Sequence, residues 1–363
     1  MSSDVRSDRV VKINPIFSIR SCTEPTQKLS DKFAYLLSNT HDILPQAEVI
    51  LNSVYGDLPK KLYSGFNEKN SSALLEIHKI LFAIYETSLS HPFSPICLHE
   101  HSPWLLTIRK QIETAWLNYE LPKIKSQLPD ISESKNPELL CNWLLEQASH
   151  ESESDKQVLK FLENEASASQ FNLFILSDAI LNYRFCDALA LAQIHFSEII
   201  KAEIVSNMFD ECGHGKAEKS HSRKFTKMLI SLGLEQPTAS VWGDDYRPYA
   251  GHNLYFLFGL NRRHFFKSIG SLAMPELFDS NRDRSVVAGL ARLYPDGQVN
   301  YDFYTNHIEI DEVHGLNWLK NAISPIVEVQ PEAGMELAIG GALRMKAMKY
   351  YNEYLATRFE LLP

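Results

Sequence analysis

The stretch YDFYTNHIEIDEVHGLNWLKNAI, residues 301–323, repeats apolar residues every three or four positions, which predicts an α-helix. Successive residues of an α-helix are rotated by about 100° around its axis. The side chains of His307, Asp311 and His314 therefore project from one face, within an arc of about 60°. Two imidazoles and a carboxylate on one face are typical ligands of iron, manganese or zinc. The alternative is a surface helix that carries polar residues at this spacing.

The same spacing of apolar residues recurs along most of the chain. Glycine and proline together make up 32 of 363 residues, or about 9%, against a usual share of about 12%. We find neither an alternating strand pattern nor an internal repeat with the period of a solenoid protein. The sequence therefore predicts an all-α fold.

The most continuous helical segments lie in the second half. Residues 167–185 begin with serines suited to a helix N-cap, and residues 186–211 read as one long helix. Residues 254–274 form a further segment, and residues 284–297 read as a short helix closed by a Pro-Asp-Gly turn. The last helix is expected from about Pro331 to Leu362.

The polar stretch QASHESESDK, residues 147–156, has the composition of a surface linker. We therefore predict an N-terminal helical extension over residues 1–150, whose role the sequence does not indicate, and a second domain over residues 151–363. Residues 1–27 mix charge, serine and proline without periodicity, so we expect a loosely ordered lead-in.

Charge and cysteine usage exclude several classes of protein. The net charge of −9 argues against a nucleic-acid partner, and no run approaches the roughly 18 apolar residues of a membrane span. The N-terminus lacks the apolar core of a signal peptide. Five scattered cysteines without a CxxC spacing indicate free thiols in a reducing compartment. These features predict a cytoplasmic protein without a nucleic-acid or membrane partner.

Three motifs occur in a fixed order in the second half. NMFDECGHG at residues 207–215 is followed by His221, GSLAMPE at residues 270–276 comes next, and the H-x3-D-x2-H helix is last. Together they resemble the signature of heme-oxygenase-like di-iron oxidases and oxygenases, often described as iron-containing redox enzymes. The resemblance covers about residues 165–355, and no motif in the first 150 residues can be assigned.

The resemblance implies a heme-oxygenase-like helical bundle that holds two iron ions and no heme, with O2 as co-substrate. An electron donor and a homodimer are further possibilities that the sequence leaves open. The metal ligands implied by the resemblance are six residues: Glu211, His221, Glu276, His307, Asp311 and His314.

Several of these assignments have alternatives in the sequence. In an unbroken helix Glu211 and His221 would lie about 15 Å apart, so Gly213 and Gly215 must relax the helix if both bind one metal pair. His214 competes with His221, because it lies three residues from Glu211 on the same helix face.

The middle ligand and one reserve carboxylate are also open. Glu276 follows Pro275 and could be a first-turn carboxylate that the helix dipole favours. Asp178 is a reserve carboxylate. In the family that the sequence resembles, a glutamate with its longer side chain often occupies this position.

Other candidates have both a functional and a structural interpretation. Arg262 and Arg263 could bind a substrate carboxylate or form a solvated face. The run from His99 to His101 could bind metal, but its neighbouring prolines favour a loop. Cys212 is better explained as a small buried thiol than as a nucleophile.

Three hypotheses for function follow. The first is a non-heme di-iron enzyme that uses O2 to oxidise a small amine, amino-acid-derived or fatty-acid-like substrate by N-oxygenation, desaturation or C–C cleavage. The second is a cofactor-free enzyme on the same bundle, of the kind that processes thiamin or a quinone precursor, with His and Glu as acid and base. The third is a non-catalytic helical binding module.

Overall fold

The computed structural model describes residues 28–38, 45–150, 152–194, 197–295 and 297–361. Throughout these ranges the chain forms helices joined by turns, and none of the described residues is in a β-strand. The predicted all-α fold is therefore confirmed. The expected loosely ordered lead-in, residues 1–27, lies outside the described residues.

The α-helices follow one another in the order α1 Leu29–Ser38, α2 Pro45–Leu62, α3 Ser71–Leu89, α4 Pro103–Ile124, α5 Ile131–Ser134, α6 Pro137–Ser149, α7 Glu153–Asn164, α8 Ala168–Asn182, α9 Phe185–Leu191, α10 Glu198–Glu211, α11 His221–Ser231, α12 Arg247–Gly259, α13 Phe265–Leu293, α14 Asp302–Asn317, α15 Ser324–Val329 and α16 Ala333–Arg358. Within the described ranges, no helix combines the length and the apolar character that a membrane crossing requires.

Helix starts follow the capping signals of the sequence where these are strong. Ser167 precedes α8, and its hydroxyl accepts a hydrogen bond from the Gln170 amide while the Gln170 side chain accepts one from the Ser167 amide. This reciprocal pair satisfies two amides that the first helical turn leaves without partners. The prediction of a serine N-cap for this helix is confirmed.

The polar stretch at residues 147–156 is a short connection rather than a long linker. Helix α6 ends at Ser149, and Ser152 forms a capping box with Asp155 at the start of α7. Buried leucines of α6 belong to the same apolar cluster as Leu337 and Ala338 of α16. The division into residues 1–150 and 151–363 stays a prediction.

Three predicted helix boundaries are wrong. Residues 186–211 form two helices, because the amides of Ala192 and Gln193 bond to carbonyls only three residues back and thereby close α9. Residues 254–274 are divided where the Asn261 side chain donates to the Leu257 carbonyl at the end of α12. Residues 265–293 form one helix through Pro275, because packing of this helix against α14 and α16 outweighs the hydrogen bond and the steric fit that a proline costs.

Helix α13 is the centre of the second half and packs along both α14 and α16. Its contact with α14 is close at Gly315, where a Cβ atom would lie 2.5 Å from the carbonyl oxygen of Glu276. A residue without a side chain therefore allows the two backbones to approach each other. This approach places the Glu276 side chain beside the polar face of α14.

Replacing Gly315 with alanine should lower the free energy of unfolding by about 1–3 kcal/mol, because the added methyl group forces α14 away from α13. Gly56 in α2 is the matched control, since nothing lies within 4 Å of a Cβ there. Gly56→Ala should raise the free energy of unfolding by about 0.4–1 kcal/mol. Urea unfolding followed by circular dichroism measures both, and equal effects of the two substitutions would contradict the close packing.

Candidate metal centre

Glu211, His221 and His307 form the first of two groups whose donor atoms lie within 4.8 Å of one another, and we call it the Glu211 triad. Oε1 of Glu211 lies 2.9 Å from Nδ1 of His221 and 3.7 Å from Nε2 of His307. The two imidazole rings have centroids 4.3 Å apart. One carboxylate oxygen, from the end of α10, therefore faces imidazoles from α11 and α14.

The turn between α10 and α11 brings Glu211 and His221 together. Gly213, His214 and Gly215 have positive φ angles of 65°, 56° and 76°, so α10 ends and the chain turns back. A Cβ on Gly213 would lie 2.4 Å from the carbonyl carbon of Lys219, which leaves room only for glycine. The glycines thus end helix α10 instead of distorting it. The chain then reverses direction, which places the His221 side chain beside Glu211.

His214 and His221 have different surroundings. His221 is 3% exposed and contacts Glu211, whereas the side chain of His214 is 63% exposed, stacks on Phe209 and pairs with Asp210. Of the two histidines that the sequence left open, the structure thus brings His221 to Glu211.

Glu276, Asp311 and His314 form the second group, the Glu276 triad, and all three are buried. Oε2 of Glu276 lies 3.3 Å from Nδ1 of His314 and accepts no hydrogen bond. Glu276 lies in the interior of α13, so the alternative of a first-turn carboxylate is wrong. Pro275 continues the helix, and the carboxylate after it faces α14.

Hydrogen bonds outside the triads orient two of the imidazoles. Nδ1 of His307 donates to the backbone carbonyl of Phe303 at 2.7 Å, which leaves Nε2 to face Glu211. Nε2 of His314 lies 2.8 Å from Oδ2 of Asp210, while its Nδ1 lies 3.3 Å from Oε2 of Glu276 and 3.2 Å from Nδ2 of Asn207. A ring nitrogen held in this way fixes the tautomer and the direction of the other nitrogen, as is usual for metal-binding histidines.

The charges of the two triads are strongly coupled. Burial alone would lower the pKa of His307, but the carboxylates of Glu211, Asp311 and Asp283 raise it to about 10. Burial also lowers the pKa of His314, but the carboxylates of Glu276 and Asp210 outweigh burial and raise this pKa to about 8. Burial and the nearby Glu276 carboxylate raise the pKa of Asp311 well above its usual range. The crowded carboxylates thus raise the pKa values of the groups beside them.

Asp178, the reserve carboxylate, belongs to neither triad. Its Oδ2 atom accepts hydrogen bonds of 2.9 Å from Tyr304 and Asn182, and its other oxygen pairs with Arg282. The carboxylate therefore already has polar partners on both of its oxygens.

The remaining candidates lie apart from the triads. Arg262 and Arg263 are exposed in a short 3₁₀ turn, and the Arg262 guanidinium donates to the Ile194 carbonyl at 2.7 Å. His99 packs edge-on against Trp104, while the side chain of His101 is 89% exposed.

Cys212 follows Glu211 and is a free thiol, half-buried rather than fully buried as expected. Its sulfur lies 3.6 Å from that of Cys186, another free thiol. Cys22 lies outside the described residues.

A cavity adjoins both triads, and Glu211, Glu276, His307 and Asp311 form part of its wall. About 90 Å³ of it can be reached by the centre of a water molecule, which is several times the space that one water needs. Aromatic side chains line other parts of the wall, as do charged residues that the sequence analysis did not select: Asp279, Arg282, Asp283 and Arg344.

Only some of these additional residues had a signal in the sequence. Asp279 and Asp283 follow Glu276 at spacings of three and seven residues, which places all three on one face of α13. Arg344 is a single basic residue of α16, and the sequence does not distinguish it from the exposed basic residues of that helix.

The donor set of the two triads fits iron. Three carboxylates and three imidazoles are ligands that iron accepts, and Oε2 of Glu276 accepts no hydrogen bond that an ion would have to displace. Donors about 2.1 Å from one ion lie at most about 4 Å from each other. Separations of up to 4.8 Å therefore require only small movements of the side chains.

This geometry is typical of helical proteins that bind a metal through buried carboxylates and histidines. Residues 173–349 match the family described as iron-containing redox enzymes, and this range includes all six residues of the triads. This range makes up just under half of the chain, and over it the chain is similar to that family. The fold of that part of the chain is therefore heme-oxygenase-like, as the sequence motifs implied.

Two individual proteins show more distant similarity. Nitrosourea synthase from Streptomyces achromogenes subsp. streptozoticus is 31% identical over 122 residues. The match covers 33% of this chain and 26% of the synthase, so it spans about a quarter of that protein's length. A CADD-like protein of unknown function from Nostoc punctiforme is 17% identical, with a TM-score of 0.48 over 61% of this chain and 97% of its own.

Replacing His221 with alanine should lower the amount of iron bound at saturation by about half, because the Glu211 triad loses one of its three donors. The matched control is His214→Ala, which removes an exposed imidazole outside both triads and should leave the amount of bound iron unchanged. Anaerobic Fe(II) titration followed by metal analysis measures the stoichiometry. The reverse result, with iron lost only from His214→Ala, would assign the ligand to His214.

The affinity for Fe(II) should rise with pH between 6 and 8, by roughly tenfold or more per pH unit. Imidazoles bind metals only when neutral, and the pKa values of His307 and His314 lie at about 10 and about 8. An incoming ion must therefore displace protons, which becomes harder as the pH falls. Calorimetric titration in buffers of different ionisation enthalpy counts these protons, and an affinity independent of pH would contradict the assignment.

Proposed function

We propose that the protein is a non-heme di-iron enzyme that uses O2 to oxidise a small molecule. The observation that carries the proposal is the position of two carboxylate and histidine triads at the wall of one cavity. A metal site with a structural role needs no adjoining space, whereas a redox site needs room for O2 and a substrate.

When bound, two ferrous ions would supply the electrons that reduce O2, and an electron donor would return them to the ferrous state. The protein itself sets the direction of the imidazoles. Asp210 and the Phe303 carbonyl hold the outer nitrogens of His314 and His307, so each ring presents its other nitrogen to the centre.

The walls of the cavity determine what reaches this centre. Phe185, Trp242 and Phe303 provide an apolar boundary that limits the entry of water. The charged side chains on other parts of the wall favour a polar substrate over a fatty-acid-like one, since an alkyl chain would leave them without partners. Among the substrates considered, we therefore favour a small amine or an amino-acid-derived compound.

The similarity to nitrosourea synthase bears on the type of reaction. A nitrosourea carries an oxygen atom on nitrogen, and the synthase is named for making such a compound. This similarity supports N-oxygenation over desaturation or C–C cleavage, within our proposal.

The test combines iron binding with oxygen consumption. Anaerobic Fe(II) titration should saturate at two ions per chain, and admitting O2 should oxidise the iron with a transient visible absorption. In His307→Ala the rate of this oxidation should fall by roughly tenfold or more, because His307 belongs to the Glu211 triad. Arg263→Ala, a change at an exposed residue outside the cavity, is the control and should behave like the unaltered protein.

Two outcomes would contradict the proposal. Binding of only stray iron, with no effect of His307→Ala, would remove its basis. Full catalytic turnover after chelation would instead support a cofactor-free enzyme on the same helical bundle.

A further inference from the structure

Arg344 lies on α16 and is only 1% exposed, yet its side chain forms part of the cavity wall. Both terminal nitrogens of its guanidinium donate to the carbonyl oxygen of Gly251 at 3.1 Å, and its carbon lies 4.2 Å from the centre of the Tyr255 ring. Its Nε atom is buried without a hydrogen-bond partner. The guanidinium thus retains one donor, at Nε, that no protein atom satisfies.

Arg344 also lacks a counter-ion. In the described part of the chain, no carboxylate oxygen lies within 4.0 Å of its nitrogens. The other arginine of the cavity differs, because Arg282 pairs with Asp178 and lies 3.8 Å from Asp279 and 3.9 Å from Asp283. The two arginines of the cavity thus differ in their counter-ions. Carboxylates of the protein balance the charge of Arg282, whereas none balances the charge of Arg344.

A buried charge without a partner is unfavourable, and an arginine cannot lose its proton to avoid the cost. An anionic ligand would remove this cost by forming charge-assisted hydrogen bonds with the guanidinium. We propose that Arg344 binds the carboxylate of the substrate, which makes the substrate a small acid. This inference rests on the proposed function, because it assigns the substrate of that same cavity.

The other charged groups of the cavity indicate what else the acid carries. Oδ1 of Asp279 and Oδ1 of Asp283 accept no hydrogen bond and lie 3.8 and 3.9 Å from Arg282, which also pairs with Asp178. All of these residues line the cavity that contains Arg344. Three carboxyl groups thus share one arginine while Arg344 has no counter-ion, so the cavity complements a molecule with both charges. The substrate class is therefore an amino acid.

The experiment compares each of the twenty common L-amino acids with its C-terminal amide, which keeps the amino group and the side chain but lacks the carboxylate. Calorimetry measures binding to the full chain without O2, both free of metal and loaded with Fe(II). At least one amino acid should bind about tenfold or more tightly than its amide in both forms. If no amino acid binds, or if acid and amide bind equally, the proposal is wrong.

Arg344→Met should abolish the preference for the acid, whereas the control Arg263→Met should keep it. Arg344→Lys retains the charge without the planar pair of donors, so the preference should fall about threefold or more. This variant decides the question if the methionine variant does not fold. A preference that survives in both Arg344 variants would overturn the assignment.

Iron titration of the same variants separates the two proposals. Arg344→Met should still bind two Fe(II) ions, because Arg344 belongs to neither triad. Loss of the acid preference with iron binding intact supports the role of Arg344. Amino-acid binding by a chain that takes up no iron would leave the role of Arg344 standing and contradict only the di-iron function.

Discussion

The polar face of α14 is the constraint on which the site depends. His307, Asp311 and His314 leave this helix on one side, and they supply donors to both triads. Each triad then requires a second element at close range. The turn at Gly213 returns His221 to Glu211, and the contact at Gly315 brings the Glu276 carboxylate of α13 to α14. A change in either backbone contact would separate donors that α14 alone cannot bring together.

Burying so many ionisable groups is unfavourable unless their charges are balanced. The triads achieve part of this balance internally, since Glu211 faces two imidazoles and the carboxylates raise the pKa values of His307 and His314. Arg282 similarly compensates Asp178. Two groups at the wall of the cavity are incompletely satisfied, because Oε2 of Glu276 accepts no hydrogen bond and the Arg344 guanidinium has no counter-ion. The protein thus places these polar groups where a metal ion or a substrate can bind them.

The sequence predicted the parts of the site that depend on local geometry. The common face of His307, Asp311 and His314 follows from helical periodicity alone, and the positive φ angles at Gly213 and Gly215 fit the turn that the ligand spacing required. The choice between His214 and His221 depended on the direction of the chain after the turn. Helix periodicity and residue propensities do not determine that direction.

Features that depend on tertiary packing could not be predicted in this way. Pro275 suggested a helix start, but packing against α14 and α16 continues α13 through it. Arg344 has the local sequence of an ordinary basic residue in an amphipathic helix, and only the assembled cavity shows that it lacks a counter-ion. Asp178 was a plausible ligand until its neighbours Arg282 and Tyr304, more than 100 residues away, were placed beside it.

The most direct test of this account is a crystal grown without O2 in the presence of Fe(II), measured with X-rays on both sides of the iron absorption edge. The account predicts two anomalous peaks in each molecule, one within about 2.0–2.3 Å of donors from the Glu211 triad and the other at the Glu276 triad. Iron bound elsewhere, or two empty triads at saturating Fe(II), would contradict it.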